Sequence, residues 1–243
     1  MEAQTATQSR TNLAIEERRL ASRAGRASLL LEHAQALYVV RGEVVVEARG
    51  DLLAAGAGCA VVLPGGRPHA LGNRGADEAR FLTVRATHPA DDDGLTGRPV
   101  GQDAPRLIHP PPGRMKVLVR GDDSGGRLAL VDSTVEAGHA GPLLHHHPFD
   151  EAFYILEGAL TFRLGDEDVT ARAGELALAP GGTPHTFANL GAEEARMLIV
   201  CAPAGFERYF DRAAASERGD APPPPEDIDR YPEITVVGPR IGD

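Results

Sequence analysis

The sequence predicts an all-β protein of two tandem domains with one fold, and three observations carry that prediction. The first is an internal repeat: GGRPHALGN around His69 matches GGTPHTFAN around His185, and 185 − 69 = 116. The same offset carries Gly42 to Gly158, Gly58 to Gly174, Pro64 to Pro180, Asn73 to Asn189 and Glu78-Ala79-Arg80 to Glu194-Ala195-Arg196, without a gap. The second is strand-like patterning, seen in LALVDSTVE over residues 128–136 and FYIL over 153–156. The third is a stretch rich in proline, glycine and aspartate between the two copies.

Taken in order, residues 1–90 form the first domain. Its segment NLAIEERRL, over 12–20, carries charges that would also suit a helix, but the repeat aligns it with 128–136, so both are predicted strands. Residues 91–113 hold Asp91-Asp92-Asp93 and prolines 99, 105, 110, 111 and 112. Such a segment suits neither a sheet ladder nor a helix interior, and it is predicted to be a linker. The second domain covers 114–203 and begins with RMKVLVR as a strand. In 204–243 the aromatics Phe206, Tyr209 and Phe210 recur at helical spacing and predict a short helix packed on the barrel. The run Pro222 to Pro225 predicts an extended arm. It leads to Ile234-Thr235-Val236-Val237, a candidate strand expected to dock on the first domain or on a partner chain.

Composition narrows the function. A chain of 243 residues with 42% hydrophobic and 25% charged residues buries an ordinary globular core. A formal net charge of −10 argues against non-specific nucleic-acid binding, which depends on neutralising phosphates. No long apolar run predicts a membrane span, and the N-terminus has no apolar core of a secretory signal. Cys59 and Cys201 are too few for a disulfide framework, fit a reducing cytoplasm, and are expected to be buried packing groups.

The chemistry concentrates in His145-His146-His147-Pro148-Phe149-Asp150-Glu151. Read as a strand, His145 and His147 share one face and His146 takes the other. Imidazoles with one carboxylate suit a borderline divalent metal: iron, manganese, nickel, cobalt, copper or zinc. The second half contains HxHx3Ex6G from His145 to Gly158 and Gx5PxGx2Hx3N from Gly174 to Asn189. These strings resemble the two signature motifs of the cupin superfamily. The first departs at its leading glycine, where His139 stands, with Gly138 and Gly141 flanking it.

The resemblance implies two tandem jelly-roll β-barrels, a bicupin, with one metal held in the second barrel by His145, His147, Glu151 and His185. Four protein ligands on an octahedral metal leave two positions open, which suggests catalysis rather than a closed structural site. The repeat places Leu29 opposite His145, Leu31 opposite His147 and Gln35 opposite Glu151. Of the four ligands only His69 persists there, so the first barrel is predicted metal-free, with His33 and His69 as ordinary barrel histidines. Candidates for apolar lining near the metal are Phe149, Phe153, Ile155, Leu176, Leu178, Phe187 and Met197. His139 and His146 are expected at packing or surface positions.

The resemblance covers nearly the whole chain after the first dozen residues and extends to quercetin-dioxygenase-like cupins. It implies a mononuclear non-haem dioxygenase or oxygenase acting with dioxygen on a small enolic or aromatic molecule. Iron(II) is the first expectation, with manganese, nickel, cobalt or zinc as others. Glu151 is expected to be a ligand, with a role as catalytic base kept open. The same site would serve a metal-dependent isomerase, cyclase or lyase, and the fold would also serve a non-catalytic small-ligand-binding protein. A homodimer is a further family-level expectation.

Overall fold

The computed structural model describes residues 11–25, 27–31, 34–48, 50–65, 67–86, 106–109, 113–209, 215–216, 219–220 and 234–243. His33, Phe210, most of the 91–113 stretch and the run Pro222 to Pro225 lie outside these residues. The described chain is almost entirely β-strand, as the alternation of its sequence predicts, and it separates into two compact units.

In the first unit the strands are β1 (Leu13–Leu20), β2 (Ala27–Leu31), β3 (Gln35–Arg41), β4 (Glu43–Ala48), β5 (Asp51–Gly56), β6 (Ala60–Leu63), β7 (Arg67–Gly72), β8 (Ala79–Ala86) and β9 (Arg106–Ile108). They form two antiparallel sheets, β1-β8-β3-β6-β9 and β2-β7-β4-β5. Their core holds Leu37, Val39, Val44, Val46, Leu63 and Phe81.

After β10 (Met115–Val119) and a single helical turn, α1 (Gly121–Ser124), come β11 (Ala129–Val135), β12 (Leu144–His146), β13 (Asp150–Glu157), β14 (Ala159–Leu164) and β15 (Glu167–Arg172). The chain continues through β16 (Leu176–Ala179), β17 (His185–Ala188), β18 (Ala195–Ala202) and β19 (Thr235–Gly238). Their sheets are β10-β11-β18-β13-β16 and β15-β14-β17-β12-β19. The order repeats that of the first unit, down to the register. Leu29 faces His69 where His145 faces His185, and Gln35 faces Leu63 where Glu151 faces Ala179.

Two sequence readings are corrected by the strands. Residues Arg106–Ile108, inside the predicted 91–113 linker, pair with β6 through Val62↔Arg106 and Ala60↔Ile108. The proline argument holds for the prolines themselves, but the tripeptide between Pro105 and Pro110 has all its N–H groups and completes a ladder. Residues 118–128 group with the first unit rather than with the rest of 114–203. There the Arg106 guanidinium is ion-paired with the buried Asp123 carboxylate, which also accepts from the Arg120 N–H.

The second correction concerns the C-terminal strand. β19 pairs with β12, in the second unit, as the outermost strand of that sheet. The helix predicted from Phe206 is seen over 207–209, and Phe206 enters the second core while Tyr209 is half exposed.

Both units are closed by the asparagine that ends the second motif. Asn189 is 1% exposed; its Nδ2 donates to the Val135 and Glu193 carbonyls and its Oδ1 accepts from the Gly191 N–H. Asn73 makes the equivalent bonds to Ala21 and Asp77 carbonyls and to the Gly75 N–H. Asn189→Ala strands buried backbone groups at both ends of a loop, so it is expected to cost about 3 kcal/mol in urea unfolding. A loss below about 1 kcal/mol would mean that the loop does not depend on this side chain.

The departure at His139 is also resolved. Gly138 and Gly141 both adopt positive φ, 69° and 70°, and a Cβ on Gly141 would lie 1.6 Å from the Phe187 carbonyl oxygen. The turn therefore uses its two glycines, and His139 contributes backbone, accepting from the Asn189 N–H at 2.9 Å. Among the described residues no helix is long and apolar enough to cross a membrane.

Candidate metal centre

Strand geometry brings the four sequence-predicted ligands together. His145 on β12 and His185 on β17 are direct cross-strand partners, which share one face of their sheet. His147 stands just beyond β12, in the turn to β13, and Glu151 is the second residue of β13 in the other sheet. The ligand atoms of His145, His147 and His185 lie within 4.8 Å of one another. His147, His185 and Glu151 are 1%, 2% and 3% exposed, and His145 is half-buried.

The turns of the two motifs interlock around this set. The Gly182 N–H donates to the His147 carbonyl at 2.7 Å, and the Gly181 N–H donates to Asp150 Oδ1 at 2.8 Å. His147 is also held by its ring, which lies flat on Phe149 at a centroid distance of 3.5 Å and an interplanar angle of 1°. Phe149 in turn meets Phe206 at 5.0 Å.

Each histidine is oriented by a backbone carbonyl two residues away. Nδ1 of His145 is 2.7 Å from the Leu143 oxygen, that of His147 2.9 Å from Phe149, and that of His185 2.9 Å from Thr183. A carbonyl only accepts, so each Nδ1 carries the proton, and in a neutral ring Nε2 is then a bare lone pair. Yet Oε2 of Glu151, a second acceptor, sits 2.9 Å from His147 Nε2 and 3.0 Å from His185 Nε2. Acceptors at these distances need a cation between them or an extra proton on each ring. The donor set therefore fits a divalent metal: Nε2 atoms with their tautomers fixed from behind, and one carboxylate.

Without a metal, protons supply the charge. Burial pushes the Glu151 carboxyl up, but hydrogen bonds and charge from His147 and His185 outweigh it and hold the carboxyl down at about 2. Burial lowers His185, and the hydrogen bond and charge of Glu151 overcome that and raise it. His145 is lowered, chiefly by burial.

The neighbours of Glu151 include one residue with a larger part than sequence suggested. Cys201 and Ala179 are its cross-strand partners on either side, both small, so the carboxylate has room inside the core. The Cys201 thiol is 3.9 Å from Glu151 Oε1 and is pushed up well above its usual range by burial and the charges of Glu151 and Glu207. Cys59 is buried, as expected of a packing group, with Sγ 3.5 Å from His109 Nδ1.

Of the expected lining, Phe149, Phe153, Ile155 and Met197 are in the core around the site, and Phe187 packs against it. Leu176 and Leu178 are not. The pairs Glu151↔Ala179 and Phe153↔Ala177 turn the alanines inward, which leaves the leucines half-buried on the opposite face of β16. His139 and His146 stay outside the ligand cluster, with His146 paired to Thr235 along the strand.

Comparison with known proteins adds the family. The family described as "Cupin domain" matches residues 31–85 and 131–201, one segment in each unit. A protein named polyketide synthase CurC, from Streptomyces cyaneus, is 33% identical over 91 residues, which are 37% of this chain and 56% of that protein. An uncharacterized protein of Methanocaldococcus jannaschii is 29% identical over 79 residues, 32% of this chain and 63% of that one. The chain thus spans less than two thirds of either curated relative. Among solved structures, AerE from Microcystis aeruginosa superposes with a TM-score of 0.65 at 14% identity, over 79% of this chain and 88% of that one. Oxalate decarboxylase of Bacillus subtilis superposes at 0.62 and 18% identity, over 80% and 69% of the two chains. At such identities the likeness is one of fold.

Proposed function

Because the chain belongs to the cupin family, as a bicupin whose second barrel gathers three imidazoles and a carboxylate, we propose that it is a metal-dependent enzyme with one divalent transition metal per chain. His145, His147, Glu151 and His185 would hold that metal. The observation that carries the reading is the acceptor conflict at Glu151 Oε2, which a divalent cation resolves without extra protons. The reaction we favour is oxygenation of a small enolic or aromatic molecule, with iron(II) as the first candidate and manganese, nickel, cobalt or zinc behind it.

The metal, when bound, would supply Lewis acidity toward a substrate oxygen and, if redox-active, a route for dioxygen. The chain's own residues do the rest. The backbone carbonyls of Leu143, Phe149 and Thr183 keep the imidazoles in one tautomer and orientation. Phe149, Phe153 and Phe187 surround the histidines with apolar surface, which restricts water and favours a substrate with a flat apolar body. Oε1 of Glu151 faces Cys201 rather than a histidine, so it is the oxygen available to take or hold a substrate proton.

A second reading, a metal-dependent isomerase, cyclase or lyase acting on an enolisable substrate, is supported by the relative named as a polyketide synthase. Both readings share the site and part over oxygen. With metal-reconstituted protein and a panel of 1,3-diketones and polyphenols, oxygenation predicts substrate-dependent dioxygen uptake that stops under strict anoxia. Product formation that continues without oxygen would favour the second reading. No turnover of any panel member in either atmosphere would count against both.

A further inference from the structure

Taking His145 as a metal ligand, as proposed above, we propose that the C-terminal strand β19 clamps that ligand, so that metal binding and strand docking are one linked equilibrium. β12 has three residues and two neighbours, β17 and β19. Its pairing is centred on the ligand itself: His145 faces His185 on one side and Val236 on the other. The β19 register shifts between Leu144 and His145, so the irregular step of the ladder falls at the metal-facing residue. Packing is close there, since a Cβ on Gly238 would lie 2.9 Å from Leu144 Cδ2, and the Leu144 N–H donates to the Pro239 carbonyl at 3.3 Å.

The other ligands have no need of such a clamp. His147 and His185 are almost fully buried and held by the interlocked turns, whereas His145 is half-buried on a strand that would be an edge without β19. The first unit offers an internal comparison. Among the described residues its equivalent sheet ends at β2, with no strand beyond it, and there Leu29 stands in place of His145.

β19 itself is lightly anchored. Thr235, Val236 and Val237 are exposed, so its attachment rests on backbone hydrogen bonds and on the buried Ile241 behind it. A strand docked with so little apolar burial opens at low free-energy cost, and its population responds to modest coupling. Linkage then runs both ways: a metal that fixes His145 holds β19 down, and a docked β19 tightens the metal.

Hydrogen–deuterium exchange on the full-length protein, metal-free and with cobalt(II), reads the first arm. Exchange over Thr235–Gly238 is expected to slow when cobalt(II) binds. The second arm is Val236→Pro, which removes a backbone N–H next to His145 and is expected to weaken cobalt(II) about tenfold or more, within the range for groups that orient a ligand. Val236→Ala keeps the backbone and changes an exposed side chain, so its affinity is expected to stay within about twofold of the parent. Equal exchange with and without cobalt(II), in protein that binds it, overturns the clamp and leaves the ligand assignment standing. If the parent protein takes up no cobalt(II), the ligand assignment falls and the clamp falls with it.

Discussion

Protein carrying both His145→Ala and His147→Ala is expected to purify without metal, while the parent carries about one equivalent per chain. The two changes remove one ligand from β12 and one from the turn beside it, leaving His185 and Glu151, which cannot hold a divalent ion against water. The loss should exceed the 10–100-fold that outer-shell changes cause. It has a second signature in stability. Metal at about a hundredfold over its dissociation constant should stabilise the parent by about 2.7 kcal/mol and raise its melting temperature. The double variant should show no such rise. His69→Ala is the matched control, because it removes a buried histidine from the corresponding place in the first unit, where the register supplies Leu29 and Gln35 in place of His145 and Glu151. Elemental analysis of the three proteins, purified without chelator or affinity-tag metal, makes the comparison. Equal metal content in parent and double variant would remove the second barrel as the site.

The site was legible in the sequence because strand parity and register are arithmetic. Once residues 145–147 are read as extended, His145 and His147 must share a face, and the offset of the repeat then sets each ligand beside its counterpart in the first half. What composition suggested without register was less secure. Leu176 and Leu178 look like lining because they are large and apolar, but Glu151↔Ala179 fixes the inward set of β16 as the alanines. That choice also makes room beside a buried carboxylate, a need that no propensity scale contains. Cys201 belongs to the same case, since its place beside Glu151 follows from the β13–β18 register rather than from its residue type.

Long returns were the other blind spot. That Ile234 to Val237 would be extended was readable from its β-branched residues, but its partner was not. Nothing in a proline-rich arm encodes which strand the chain meets next. β9 failed in the opposite way: a segment judged by its prolines contains three residues that pair with β6. In both cases local chemistry gave the conformation, and the tertiary edge that was free to accept a strand decided the pairing.

Glu151→Gln is expected to change how the metal-free protein responds to pH as well as how the protein binds metal. In the parent the carboxylate at 3% exposure is balanced by charge on the histidines. Its pKa is depressed from 4.5 to about 2, so its contribution to stability is present above 4.5 and is lost as pH falls toward 2. The pKa of His185 is raised above 6.5, so its contribution is complete below 6.5 and is lost as pH rises through the folded-state value. The two windows overlap between about 4.5 and 6.5, where the metal-free parent should be held most firmly by this pair. A depression of this size corresponds to on the order of 3 kcal/mol. Glutamine keeps the shape and one acceptor but not the charge, so urea unfolding of the metal-free variant should show the greatest loss at pH 5 to 6 and a smaller one at pH 8. Metal binding should run the other way in the parent: as His185 gives up its proton with rising pH, a divalent ion takes over the place between its Nε2 and Glu151, and affinity climbs. A variant whose unfolding free energy tracks the parent at every pH would show that the carboxylate is not balanced by the histidines, and would withdraw the charge argument on which its role as a ligand rests.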